Sequence, residues 1–91
     1  MTMPVYVLAR IPGATDTVEW TDVCHSKEPF IYVDYQPVRW PTRWTTQVNK
    51  RPFFVYVRSR GRFGSSPRQW STHHTLAAAV KAATKIAKEI A

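Results

Sequence analysis

The chain is poor in carboxylates, and the few it has are confined to one part. Of six Asp and Glu residues, Asp16, Glu19, Asp22, Glu28 and Asp34 precede Tyr35, and between Tyr35 and Lys88 there is none against eleven Lys and Arg. No paired carboxylates stand in that segment to perform acid–base work, and its field favours a polyanion. Cys24 is the only cysteine. An intramolecular disulfide is therefore impossible, and an intracellular setting is the expectation. The sequence also lacks any apolar run near the ~20 residues a membrane helix needs. Its first residues do not follow the basic-then-apolar pattern of a secretory signal. A cytoplasmic protein with no membrane partner is expected. Glycine is scarce too, with three in 91 residues. Two of them, Gly61 and Gly64, stand in Gly-Arg-Phe-Gly-Ser-Ser, which lacks the spacing of a phosphate-cradling Walker loop.

What is abundant is aromatic and cationic. Four Trp, four Tyr and four Phe share 91 residues with a net charge of +7. A chain this short folds as one domain, 1–91, and buries roughly 60–65% of its unfolded surface. So many rings exceed what one modest core needs, and some are expected at a partly open surface. The central stretch is Lys50–Phe63, Lys-Arg-Pro-Phe-Phe-Val-Tyr-Val-Arg-Ser-Arg-Gly-Arg-Phe. It alternates with period two and reads as a strand over 52–60. Phe53, Val55 and Val57 take one face. Phe54, Tyr56, Arg58 and Arg60 take the other, because successive strand side chains point to opposite sides. The second set has the chemistry to stack on bases and pair with phosphates.

The remaining elements follow in order. Residues 4–11 alternate Val5, Val7 and Ala9 against Tyr6, Leu8 and Arg10, a strand apolar on both faces that suits a central position. Pro12-Gly13 ends it as a turn. Residues 17–23 read as a short strand, with an excursion pinned by Trp20 as the alternative. Residues 28–36 are a clearer strand, with Ile31, Val33 and Tyr35 opposite Phe30, Tyr32 and Asp34. Pro37 and Pro41 bracket an edge or loop, since neither can donate to a ladder. Residues 43–48 alternate again and lead through Asn49–Pro52 into the central strand as a hairpin. Gly61–Arg68 reads as a basic loop, followed by a brief strand at Gln69-Trp70-Ser71.

A helix is predicted over 73–90, capped by Thr72 or Ser71. Leu76, Ala79, Val80, Ala83, Ala87 and Ile90 form its apolar stripe, with Ile86 on the margin. Strands first and one helix last indicate an α+β fold: an antiparallel sheet of four to five strands with one C-terminal helix packed on one face. The other face then keeps Phe54, Tyr56, Arg58, Arg60, Arg43, Tyr32 and Phe30 as an aromatic, basic surface. A homodimer interface would use the same surface.

The second half, Trp44–Ala91, resembles the AP2-like or arm-type DNA-binding domain found at the N-terminus of many tyrosine recombinases. The matching residues are Trp44 opening a strand, Phe54-Val55-Tyr56-Val57-Arg58 as the middle strand, and Gln69-Trp70-Ser71-Thr72 leading to the helix, with Ala78 or Ala79 as its early alanine. The resemblance covers about half the chain, and the strands in front of Trp44 depart from it. It implies a three-stranded sheet entering the DNA major groove, with Arg43, Thr45, Tyr56, Arg58 and Arg60 facing the groove.

Metal and catalytic chemistry find little support. Cys24-His25 and His73-His74 lack the paired ligand spacing of a zinc site, and Cys24 beside His25 in sequence is no nucleophile–base geometry. The sequence thus points to a non-enzymatic, cofactor-free nucleic-acid-binding protein, the nucleic acid being DNA or RNA. Its contact set is Arg43, Lys50, Arg51, Phe54, Tyr56, Arg58, Arg60, Arg62 and Arg68. The alternative is a phage or mobile-element accessory or inhibitor protein, similar in size to anti-CRISPR proteins, that binds an acidic host protein or nucleoprotein complex.

Overall fold

The computed structural model describes residues 3–26, 28–41, 46–58 and 67–89. The described elements, in chain order, are β1 (Val5–Val7), α1 (Trp20–Val23), β2 (Phe30–Tyr35), β3 (Val38–Pro41), β4 (Thr46–Val48), β5 (Phe53–Arg58), β6 (Arg68–His73) and α2 (Leu76–Glu89). The fold is α+β. A four-stranded sheet runs in the order β1-β2-β5-β6, and β3 and β4 form a separate two-stranded ribbon.

The sheet is mixed rather than antiparallel throughout. β1 runs parallel to β2, with Val5 opposite Ile31 and Val7 opposite Val33, whereas β2–β5 and β5–β6 are antiparallel. The cause lies in the connection. A parallel neighbour needs a crossover, and the chain from Leu8 to Pro29 supplies one that includes α1. β1 is consequently an edge strand and not a central one. Its two apolar phases arise because material packs on both sides of the sheet: Val5 and Val7 join the core under α2, and Tyr6 joins the core on the far side.

The expected strand at 17–23 does not form. Val18 makes an isolated parallel bridge to Leu8, and the chain then turns into the four residues of α1. The hairpin expected from 43–48 into 52–60 is likewise replaced. Among the described residues β4 pairs with β3, Val38 opposite Val48 and Pro41 opposite Thr46, while β5 lies between β2 and β6. Pro52 still ties this turn to the sheet, its carbonyl accepting the Gln36 amide at 2.8 Å.

The strand phases hold in β2 and β5. Ile31, Val33, Val55 and Val57 meet Ala79, Ala83, Ile86 and Ala87 of α2 in the main core. Burying each such aliphatic side chain contributes about 1.5–3 kcal/mol, and the alanines let the helix approach closely. Ile86 is buried in this interface rather than on its margin. The helix begins later than predicted because β6 runs on to His73. Ser71 and Thr72 therefore sit in a strand. Thr75 takes the capping role, its hydroxyl accepting the Ala78 amide at 3.2 Å.

The second core lies on the face opposite α2 and comprises Leu8, Val23, Phe30 and Tyr32, with Tyr6, Val18 and Tyr56 packed against it. The far face expected to be open is thus covered over β1 and β2 by the α1 segment.

Candidate nucleic-acid interface

On the far face four rings stand in a row. Trp20 lies 4.9 Å from Tyr32, Tyr32 stacks on Tyr56 at 5.0 Å and 13°, and Tyr56 stacks on Phe54 at 6.1 Å and 16°. Alternation in β2 and β5 brings the last three to one side. Trp20 is added from α1. Tyr32 and Phe30 are buried, Phe54 and Tyr56 are half-buried, and Trp20 remains 38% exposed. Burial, with the Tyr56 phenol and the Asp34 carboxylate adding to it, raises the Tyr32 hydroxyl above its ordinary pKa of 10.0. It is a neutral phenol at physiological pH.

Among the described residues the strands carry one carboxylate on this face, Asp34, and it is neutralised. Asp34 is 5% exposed and accepts from both Nε and Nη2 of Arg10. It also accepts from the Tyr35 amide at 2.8 Å and from the Gln36 side chain at 3.3 Å. The hydrogen bonds that Arg10 donates to Asp34 hold the guanidinium above its usual pKa. Gln36 continues the network, donating to the Tyr56 hydroxyl at 2.6 Å while its carbonyl accepts from Asn49 at 2.6 Å. Sequence reasoning missed this network. Its one signal was that Arg10 and Asp34 fall on the same phase as Tyr6, Leu8, Phe30 and Tyr32.

Beside Phe54 opens a polar cavity of about 370 Å³, lined also by Gln36, Asn49, Arg51, Gln69 and Thr72. The register explains the lining. Thr72 lies opposite Phe54 and Gln69 opposite Tyr56, and directly paired residues share a face. Trp70 is the extra residue of a bulge in β6 and is 48% exposed. Bulges commonly re-aim a side chain in this way.

The predicted contact residues divide accordingly. Phe54, Tyr56 and Arg51 come together, and Lys50 is exposed at the turn next to Arg51, its carbonyl accepting from His74 Nδ1 at 2.9 Å. Arg58 is drawn inward. Its Nη1 donates to the Cys24 carbonyl, and the guanidinium lies 5.6 Å from the centre of the Phe30 ring. It clasps α1 to the sheet. Arg68 is exposed but lies opposite Val57, on the face that carries α2. Arg43, Arg60 and Arg62 lie outside the described residues, as do Trp44, Thr45 and most of the Gly61–Arg68 loop.

His73 closes β6 and hydrogen-bonds Ser71 at 2.8 Å, and His74 precedes α2. Neither is in the first helical turn as expected. Among the described residues no group of three His, Cys, Asp or Glu is placed to share a metal ion. No helix among them is long and apolar enough to cross a membrane. Comparison with protein-family models, curated proteins and solved structures yields no match.

Proposed function

We propose that the protein is a non-enzymatic nucleic-acid-binding domain whose contact surface is the β5–β6 half of the far face. The observation that carries this reading is the company Phe54 keeps. A half-buried ring floors a polar cavity lined by side-chain amides and by an arginine that has no partner among the described residues. The carboxylate that the strands carry on that face, Asp34, is already paired with Arg10. Phe54 stacks on a base. Arg51 and Lys50 meet phosphates, and Gln36, Asn49 and Gln69 offer donors and acceptors to base edges. Arg68 and Trp70 extend the contact around the β6 edge. Arg58, already committed to Cys24 and Phe30, supports the face instead of reading the ligand.

Fluorescence anisotropy with random single- and double-stranded oligonucleotides tests this. With two to four phosphates neutralised, the log–log salt slope for single strands is about −1.4 to −2.8. Arg51→Ala lowers its magnitude by about 0.7. Phe54→Ala weakens single-strand binding by ~1–3 kcal/mol with little change in slope. Binding that is absent at low salt, or indifferent to salt, rejects the proposal. A protein partner captured from lysate and retained after nuclease treatment supports the accessory or inhibitor reading instead.

A further inference from the structure

A second cavity, about 360 Å³, lies at the other end of the far face, where α1 overhangs β1 and β2. Its lining includes Arg10, Glu19, Trp20, Tyr32 and Asp34. The volume falls at the lower end of small-ligand sites and suits one planar group.

The polar groups here are not equivalent. Asp34 has its lone pairs taken by Arg10, Tyr35 and Gln36, so it orients and does not bind. What it orients is Arg10. Nε and one N–H of Nη2 face the carboxylate, leaving Nη1 and the outer N–H of Nη2 as a fixed donor pair on a side chain that is 58% exposed. Glu19, next in the lining, has no partner among the described residues and is an available acceptor. Tyr32 is only 6% exposed, yet its hydroxyl has no partner among the described residues and keeps contact with solvent. Trp20 supplies a partly open ring as a wall.

A fixed guanidinium donor, a carboxylate acceptor and an aromatic wall select for a planar ligand with acceptors on one edge and adjacent donors on another. Guanine has this pattern. O6 and N7 accept from arginine, and N1–H and the N2 amine donate to a carboxylate. Adenine presents an unprotonated N1 to that carboxylate, cytosine an unprotonated N3, and thymine a single N–H between two carbonyls. We infer that this cavity binds one unstacked guanine, with its ring on Trp20, O6 and N7 on Arg10, and N1 and N2 on Glu19. A guanine within a single strand rests on the function proposed above. The same chemistry also accepts a free guanine nucleotide, and the test separates the two.

The probes are a short labelled oligothymidylate carrying guanine, hypoxanthine, adenine or thymine at its centre, and free guanosine and adenosine monophosphates followed by tryptophan fluorescence. The guanine oligonucleotide should bind on the order of tenfold more tightly than the thymine one. Hypoxanthine, which lacks the N2 amine, should lose much of that advantage. Glu19→Gln, at an exposed position outside the core, should bring the guanine-to-thymine ratio close to one with an unaltered melting temperature. Equal affinity for all four oligonucleotides with no response to guanosine monophosphate overturns the guanine site and leaves the β5–β6 interface standing. A selective response to guanosine monophosphate with no oligonucleotide binding supports the site with a free nucleotide as ligand and rejects the polymer interface. Preference for arginine amide over guanosine monophosphate overturns the site in favour of a cation pocket.

Discussion

The substitution Arg10→Ala strips the buried Asp34 carboxylate of its counter-charge and leaves it two donors, the Tyr35 amide at 2.8 Å and the Gln36 side chain at 3.3 Å. Breaking a fully buried ion pair by removing one partner costs about 3–5 kcal/mol, because the survivor is left charged and unpaired. Here Arg10 is 58% exposed while the Asp34 side chain is 8% exposed. Water therefore reaches one side of the pair and screens it, and the expected cost is roughly 2 kcal/mol. In a domain of this size each 1 kcal/mol lowers the melting temperature by about 4–8 °C, so a fall of about 8–16 °C is expected. Thermal unfolding followed by circular dichroism, on a double-mutant cycle with Asp34→Asn, isolates the cause. In the Asp34→Asn background no charge is stranded, and Arg10→Ala should then cost less than about 0.5 kcal/mol, a coupling well above the error of additivity. An equal loss in both backgrounds, or a loss below about 0.5 kcal/mol in the parent, refutes the claim that Arg10 neutralises Asp34.

Two further outcomes test the core and the buried phenol. Ala83→Leu inserts bulk where α2 is fully buried in the core against the sheet and should lower the urea midpoint by an equivalent of ~1–3 kcal/mol, whereas Ala78→Leu on the exposed side of the same helix should stay within about 0.5 kcal/mol; equal effects would refute the packing assignment. Because the Tyr32 pKa is raised in the folded state, chiefly by burial, the unfolded chain loses that proton first. The associated stability is intact below about pH 10 and declines as pH rises through the folded value. The wild type should therefore lose stability more steeply than Tyr32→Phe between about pH 9.5 and 11.5, and parallel profiles would show that Tyr32 ionises alike in both states.

Local pattern was enough for much of the architecture. Alternation in 30–35 and 53–58 assigns Ile31, Val33, Val55 and Val57 to one side and Phe30, Tyr32, Phe54 and Tyr56 to the other, because a pleat has period two whatever its neighbours are. Alanine-rich 3.6-residue spacing likewise yields the helix and its buried face, and the one-sided placement of acids is a property of the chain itself. Pairing is different. That β1 lies parallel to β2, that β4 turns to β3, and that Trp20 roofs Tyr32 all depend on contacts between residues far apart in the chain, which no short window of sequence encodes. Arg58 makes the point in a single residue. Its phase on the strand is local, but whether its guanidinium meets a phosphate or the Cys24 carbonyl was decided only when α1 came to rest against the sheet.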